Sequence, residues 1–245
     1  MDDNKLSSHD NDVFMKYINN HKSTIGSGNE THQYIKNLHR LNFTIDDKEY
    51  DDFIKLYRKN IKTTHFGLME KTDRNTSLYL DFDIKYKKNE RLFTIIEIEQ
   101  IIKIINTLIN KIFDIQNDND TDDSENETNN KDLIKAFLLI KDDPIYNKEK
   151  GLYCDGFHIQ YPYLILNKYN KILLFDKIRE KIINNECMKN ICNKTKCDID
   201  SIFDKKVISD TKWWFLYKSG KTIINDGIIN ESIYKVIKIF NYNCI

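Results

Sequence analysis

The chain has 245 residues, of which 40% are hydrophobic and 31% are charged, a balance that indicates a folded protein and excludes a wholly disordered one. The formal net charge is zero, which excludes a surface that is basic throughout, so any nucleic-acid site must be a local patch. Five cysteines, an odd number, favour free thiols in an intracellular compartment, and no apolar run approaches the roughly 20 residues that span a membrane.

The first seventy residues are predicted to be mainly helical. A short amphipathic helix is predicted over residues 12–22. Apolar residues recur every three or four positions within residues 44–61, which predicts a longer helix. The length of the chain allows one domain with two lobes or two small domains.

Residues 77–85 predict a β-strand with one buried face, because apolar and polar side chains alternate at a period of two. Asp81 and Asp83 share the polar face, with Cα atoms roughly 6–7 Å apart at the usual rise of a strand. Two like charges at that distance repel, and a hard divalent cation, which prefers carboxylate ligands, would stabilise them. The alternative is a pair of solvated aspartates on the wet face of a sheet.

Residues 94–113 predict the clearest helix of the chain. Thr94 and Glu97 have the spacing of a capping box, and an apolar stripe follows them. Residues 117–130 are almost wholly Asp, Asn, Ser, Glu and Thr, which bury little apolar surface, so a disordered acidic loop is predicted there. A strand is predicted over residues 136–141.

Residues 155–161 alternate in the same way, which predicts another strand. Phe157 falls on its apolar face, whereas His158 falls on its polar face beside Gly156, with room around the imidazole ring. A helix is predicted over residues 169–190 from its apolar spacing.

The third informative stretch begins at Asp204. An aromatic strand is predicted over residues 213–217, and a Lys-Ser-Gly-Lys turn follows at residues 218–221. Taken alone, this stretch also fits a simple hairpin with a lysine-rich turn. A last helix is predicted over residues 231–241.

In this order the three stretches resemble the catalytic motifs of the archaeo-eukaryotic primase superfamily, the primase-polymerases. The first motif of that family, Asp-x-Asp or Asp-x-Glu, is matched by Asp81 and Asp83. The second, a small residue, any residue and then His, is matched by residues 156–158. Asp204 matches the apolar-flanked Asp of the third motif, and residues 217–221 match the aromatic and basic segment that follows it.

The resemblance is greatest to the primase domain of poxvirus-type primase-helicases of large nucleocytoplasmic DNA viruses. Two positions depart from the pattern, since Gly156 stands where Ser is common and Phe215 stands where some relatives have Arg. The helicase part of those viral proteins is absent from residues 1–245. A replicative helicase is therefore expected to act in trans.

The resemblance implies an α+β fold with an RRM-like antiparallel sheet backed by helices and an N-terminal helical lobe. The single primase catalytic domain would cover residues 1–245, with the lobe at residues 1–70 and the catalytic core at residues 71–245. Two divalent cations, Mg²⁺ or Mn²⁺, are implied at the catalytic aspartates, which are Asp81, Asp83 and Asp204. The implied nucleotide-binding residues are His158, Lys218, Ser219 and Lys221.

The implied activity is that of a DNA-directed primase/polymerase, a nucleotidyltransferase that makes primers from nucleoside triphosphates on single-stranded DNA. The expected location is intracellular, in the host cytoplasm or the nucleus, with no membrane partner. Two alternatives remain open. One is a catalytically silent primase-like module that binds nucleic acid or a helicase. The other is a different metal-dependent nucleotide enzyme, such as a sugar transferase that uses Asp-x-Asp, which would leave Asp204 and the lysine-rich turn unexplained.

Overall fold

The computed structural model describes residues 13–24, 28–36, 39–61, 67–72, 75–115, 130–209, 213–225 and 228–241. Except for its last residue, the acidic loop predicted over residues 117–130 lies outside the described residues. The chain divides into two compact units. Unit 1 comprises Met1–Lys71 and Trp213–Ile233, and unit 2 comprises Thr72–Lys212 and Tyr234–Ile245.

The helices and strands are named here in chain order. The helices are α1 (residues 13–20), α2 (Tyr50–Asn60), α3 (Ile95–Phe113), α4 (Lys168–Ile182), α5 (Glu186–Thr195), α6 (Ile199–Ile202) and α7 (Lys206–Ser209). The strands are β1 (His32–Lys36), β2 (His39–Phe43), β3 (Gly67–Lys71), β4 (Thr76–Tyr86), β5 (Ala136–Lys141), β6 (Ile145–Asn147), β7 (Leu152–Leu166), β8 (Trp213–Phe215), β9 (Gly220–Asn225) and β10 (Ile228–Phe240).

Unit 1 combines helices with an antiparallel sheet in the order β2-β1-β3-β8. The helices α1 and α2 confirm the amphipathic patterns of residues 12–22 and 44–61. The prediction of a mainly helical segment was incomplete, because β1, β2 and β3 were not expected. Strand β1 reads His-Gln-Tyr-Ile-Lys and buries His32 and Gln33, so its sequence lacks the apolar alternation that reveals a half-buried strand. The buried apolar core of unit 1 consists of Phe14, Ile18, Tyr34, Phe43, Ile45, Phe53, Tyr57 and Leu68.

Unit 2 is built on an antiparallel sheet in which β7 is paired with both β4 and β5. Strand β5 also pairs with residues 234–240 of β10, and β6 pairs with one end of β7. Apolar side chains from this sheet form one buried core with those of α3, α4 and α5. The predicted α+β architecture, with an antiparallel sheet backed by helices, is therefore confirmed.

Helix α3 begins at the predicted capping box. The side chain of Thr94 accepts a hydrogen bond from the backbone N–H of Glu97, and the Glu97 carboxylate accepts one from the backbone N–H of Thr94. Because both groups satisfy a backbone donor that the first turn leaves unpaired, the box defines the start of the helix. The apolar stripe of α3 is buried at Ile98, Ile101, Ile102, Ile105 and Ile109.

Two predicted helices differ from the structure. The helix predicted over residues 169–190 is two helices, α4 and α5, because Asn185 caps a new start by accepting hydrogen bonds from the backbone of Cys187 and Met188. The prediction of a helix over residues 231–241 was wrong, since residues 231–240 belong to β10. A shift of register between Val236 and Lys238 interrupts the alternation there, and this irregularity hid a segment rich in β-branched and aromatic residues.

The predicted aromatic strand is present as β8. It pairs with β3, whereas β9 pairs with residues 228–233 of β10, so the lysine-rich turn does not close a simple hairpin of its two flanking strands. Among the described residues, no helix is long and apolar enough to cross a membrane.

Candidate active site

Strand β4 places two carboxylates on one face of the sheet of unit 2. Its burial alternates strictly from Thr76 to Tyr86, which confirms the strand predicted over residues 77–85. Phe82, between the two acids, is fully buried, whereas Asp81 and Asp83 are half-buried on the opposite face. We call the face that carries Asp81 and Asp83 the polar face of this sheet, and the helix-covered one its apolar face.

His158 lies next to Asp81 on the polar face. The two residues are direct partners across β7 and β4, and His158 Nε2 lies 3.2 Å from Asp81 Oδ1. Their side chains are 13% and 16% exposed. The two atoms are within ion-pair distance but do not form a hydrogen bond. Asp81 Oδ1 is a buried oxygen without a hydrogen-bond donor among the described residues.

Gly156 allows β7 to approach β4 closely beside Asp83. The two residues are partners across the strands, and Gly156 has a φ of 144°, which side chains rarely allow. A Cβ atom at this position would lie 2.1 Å from the backbone oxygen of Phe82. A Ser at this position would require the backbone of β4 to shift, which gives a steric reason for Gly in this chain.

The backbone of Asp204 is joined to that of Asp81. Phe203 pairs with Phe82 in an isolated antiparallel bridge, and the backbone N–H of Asp204 donates a hydrogen bond to the carbonyl oxygen of Asp81 at 3.1 Å. Because neighbouring residues of an extended chain face opposite ways, Asp204 lies on the same face as Asp81. Its Oδ1 accepts a hydrogen bond from the backbone N–H of Lys206 at 2.8 Å.

A stack of phenylalanine rings lies beneath the three motifs. Phe82 lies between the two acids of β4, Phe157 precedes the histidine, and Phe203 precedes Asp204. The ring centroids of Phe82 and Phe157 are 4.3 Å apart, and those of Phe82 and Phe203 are 4.6 Å apart. All three rings are buried in the core. This packing holds segments that are distant in sequence at one place on the sheet.

Asp81 and Asp83 repel each other, as the sequence predicts. Burial and then the neighbouring charge of Asp81 raise the pKa of the Asp83 carboxyl, against the opposing charges of Lys141, Lys85 and His158. A divalent cation fits this pair, because it would neutralise the repulsion and give the buried Asp81 oxygen a partner. Among the described residues, however, no group of three or more His, Cys, Asp or Glu side chains is arranged to hold a metal ion. The fit therefore depends on Asp81 and Asp83, with Asp204 attached through its backbone.

One neighbour of His158 and one cation close to the acid pair were not expected from the sequence. The ring of Tyr234 stacks on the imidazole, with centroids 3.5 Å apart and an angle of 20° between the planes. Lys141 Nζ lies 4.8 Å from the centroid of the Tyr234 ring. The predicted strand over residues 136–141 contained Lys141, but its proximity to the acids follows from the strand order, which the sequence does not give. Tyr234 was not expected in this sheet because a helix was predicted over residues 231–241.

A fully buried carboxylate on the apolar face was also missed. Asp155 accepts hydrogen bonds from Tyr86 Oη at 2.7 Å and from Arg91 Nε at 3.0 Å on Oδ2, and from Arg91 Nη2 at 3.1 Å on Oδ1. Burial and the hydrogen bond to Asp155 raise the pKa of Tyr86 far above its usual value, so this phenol stays a donor. Asp155 precedes Gly156, and its interactions secure the end of β7 that approaches Asp83.

The remaining predicted site residues belong to unit 1. Ser219 is 4% exposed, and its Oγ accepts a hydrogen bond from the backbone N–H of Leu68 at 2.9 Å and shares another with Tyr57 Oη at 3.0 Å. Lys218 is exposed and has a φ of 62°. The side chain of Lys221 lies outside the part of the chain that the structure describes.

Comparison with known proteins agrees with the arrangement of the motifs. Residues 31–240 match the family described as "C962R protein N-terminal AEP domain", where AEP denotes archaeo-eukaryotic primase. The chain belongs to this primase family. The resemblance inferred from the three motifs is thereby confirmed at the level of the family.

A relative of this AEP domain is a protein of Acanthamoeba polyphaga mimivirus named "Putative helicase L207/L206". The two are 25% identical over 184 residues, which cover 73% of this chain and 17% of the mimivirus protein. The AEP domain thus spans a small part of the length of this relative.

Proposed function

We propose that this AEP domain makes primers on a single-stranded DNA template by joining nucleoside triphosphates. The observation that carries the proposal is the pairing around Asp81 on the polar face of the sheet in unit 2. Its cross-strand partner is His158, and its carbonyl oxygen accepts a hydrogen bond from the backbone N–H of Asp204. Membership of the primase family supports the same reaction class.

In this proposal Asp81, Asp83 and Asp204 are the catalytic, metal-binding residues, and the cations are Mg²⁺ or Mn²⁺. The buried Asp81 oxygen without a donor and the raised pKa of Asp83 support a cation at the pair. When bound, such cations supply charge stabilisation at the attacking and leaving oxygens of nucleotidyl transfer. Asp204 would contribute its carboxylate from the segment that follows α6, in exchange for its hydrogen bond with Lys206 or in addition to it.

The triphosphate would be bound by donors and positive charges that do not compete for the cation. His158 would donate from Nε2 to a phosphate oxygen, and Lys218 and Lys221 would add positive charge. Ser219 was predicted as a further phosphate contact. Since its hydroxyl is buried and bonded to Leu68 and Tyr57, we propose that it acts by holding the shape of the turn.

A replicative helicase as partner and an intracellular replication site of a large DNA virus complete the proposal. The mimivirus relative, which is named as a helicase and is much longer than this chain, supports a link between the two activities. The expected compartment is the host cytoplasm or the nucleus.

The test is synthesis of short oligomers by the purified chain from single-stranded DNA, nucleoside triphosphates and Mn²⁺, resolved on a denaturing gel. Asp81→Ala and Asp204→Ala should each abolish synthesis. The matched control is Asp200→Ala, which removes an exposed acid that is paired with Arg179. Synthesis by Asp81→Ala at the wild-type rate would overturn the assignment of the site.

A catalytically silent module that binds nucleic acid or a helicase is the second candidate. It is favoured by the lack of a ready three-ligand cluster among the described residues and by the use of Asp204 Oδ1 as a cap for Lys206. This candidate predicts binding of labelled single-stranded DNA without incorporation of ribo- or deoxynucleotides, whether Mg²⁺ or Mn²⁺ is supplied.

A further inference from the structure

A residue outside the three family motifs, Tyr234, contacts the imidazole of His158. Tyr234, on β10, is the direct partner of Lys141 on β5, and His158, on β7, is the direct partner of Leu139 on the same strand. Leu139 and Lys141 are two residues apart, so both pairs lie on one face of the sheet. This placement brings the side chains of three strands together beside Asp81.

The rings of Tyr234 and His158 are closely stacked. Their centroids are 3.5 Å apart and their planes differ by 20°, so the ring of Tyr234 covers a face of the imidazole. The edge of that imidazole carries Nε2, which lies 3.2 Å from Asp81 Oδ1. A stacked aromatic partner restricts tilting of a ring but leaves its edge accessible.

Lys141 adds a positive charge to the same group. Its Nζ lies 4.8 Å from the centroid of the Tyr234 ring, and its charge acts on Asp83. Burial and the charges of Asp81 and Asp83 raise the pKa of the Tyr234 hydroxyl well above its usual value. The phenol therefore stays neutral, and its ring remains a stacking partner beside two carboxylates.

We propose that Tyr234 is a positioning residue that holds the imidazole of His158, with its Nε2 edge beside Asp81, for binding a triphosphate oxygen. This inference rests on the proposed function, because it presumes that the AEP domain binds a nucleoside triphosphate there. Tyr234 itself does not need to touch the nucleotide. Its effect on nucleotide binding should pass through His158.

A double-mutant cycle tests this route. The dissociation constant of a non-hydrolysable nucleoside triphosphate with Mg²⁺ is measured by calorimetry for the wild type, Tyr234→Leu, His158→Ala and the double variant. Tyr234→Leu should raise the dissociation constant about threefold to tenfold, the scale of one aromatic pair, and Tyr234→Phe, which keeps the ring, should stay within about twofold. In the His158→Ala background, Tyr234→Leu should have no further effect. An equal increase in both backgrounds would overturn the proposal.

Tyr146→Leu is the matched control. Tyr146 lies on β6, which also pairs with β7. The centroids of the Tyr146 and Tyr153 rings are 5.1 Å apart. The variant thus removes a tyrosine from a strand of the same sheet, away from His158, and nucleotide binding should remain at the wild-type level. A loss equal to that of Tyr234→Leu would show a general effect of tyrosine removal and contradict the proposed role.

A second readout separates this inference from the proposed function. The Cε1–H resonance of His158, recorded by NMR without nucleotide or metal, should move in Tyr234→Leu and remain in Tyr234→Phe, because a stacked ring shifts its neighbour. If the wild type binds no nucleotide, the proposed function fails, and an unchanged resonance in Tyr234→Leu would then overturn the positioning role as well. If Tyr234→Leu does not fold, contacts between the two rings in wild-type NOE spectra decide, and their absence overturns the proposal.

Discussion

The two faces of the sheet in unit 2 carry acids that are neutralised in different ways. On the apolar face, the buried Asp155 carboxylate receives hydrogen bonds from Tyr86 and Arg91. On the polar face, the carboxylates of Asp81 and Asp83 repel each other. A buried oxygen of Asp81 has no hydrogen-bond donor among the described residues. The Asp155 carboxylate is fully paired within the fold, whereas the charges of Lys141, Lys85 and His158 do not offset the burial and repulsion of the Asp81/Asp83 pair, so this pair is suited to a cation from solution.

The largest expected effect tests the supporting acid. Asp155→Ala should lower the free energy of unfolding by about 3–5 kcal/mol, because it leaves the Arg91 charge and the Tyr86 hydroxyl without their buried partner. Urea denaturation measures this change. The control is Asp200→Ala, which removes an exposed carboxylate that also accepts two hydrogen bonds from an arginine, Arg179, and it should cost less than about 1 kcal/mol. Similar costs for both variants would contradict the distinction between the two kinds of acid.

The next effect tests the acid pair. Mn²⁺ should raise the melting temperature of the wild type, since a ligand at about 100 times its dissociation constant stabilises a fold by about 2.7 kcal/mol. Asp83→Asn should melt higher than the wild type without metal, because it removes a like charge, and should gain much less from Mn²⁺. Thermal melts with and without the cation measure both changes. Equal gains in the two proteins would place the cation elsewhere.

The smallest effect concerns pH. The carboxylate of Glu97, at the start of α3, is partly buried, which alone would raise its pKa, but hydrogen bonds from Lys194 and Thr94 outweigh burial and lower the pKa below its usual value of 4.5. A depressed pKa means that this stabilisation is present above the usual value and is lost as the pH falls through the lowered one. The raised pKa of Asp83 acts in the opposite direction, because protonation there removes a buried charge and relieves the repulsion from Asp81.

Glu97→Gln should therefore lower the free energy of unfolding at neutral pH by less than about 1 kcal/mol and should flatten the loss of stability in acid. Urea denaturation over a pH series from neutral to acidic measures both. An unchanged acid slope in this variant would mean that the capping box does not contribute to the pH dependence.

Local patterns predicted the parts of the fold in which one face is apolar and the other polar. The alternation around Asp81 gave strand β4, and Thr94 with Glu97 gave the start of α3. Strand β1 was missed because it buries His32 and Gln33, and β10 was missed because a register shift interrupts its alternation. These are cases in which tertiary packing overrides the local pattern.

Some residues of the candidate site could likewise be proposed from local patterns, whereas others depend on tertiary contacts. Asp81, Asp83 and His158 could be proposed from the sequence because they lie in strands in which apolar and polar residues alternate, and Asp204 because apolar residues precede it. The contact of Tyr234 with His158 could not, because it depends on the order of β7, β5 and β10 in the sheet. Likewise, the buried state of the Ser219 hydroxyl follows from Tyr57 and Leu68, which are far away in sequence.

The stacked rings of Phe82, Phe157 and Phe203 have a consequence for how the site opens. Each ring is a chain neighbour of a motif residue, and the rings are packed against one another in the core. Local fluctuations cannot separate one motif from the others without breaking this packing, so the motifs belong to one cooperative unit. Backbone amides beside the rings should consequently exchange with solvent at the slow rate of global unfolding, and a chain whose core is incomplete has no assembled site.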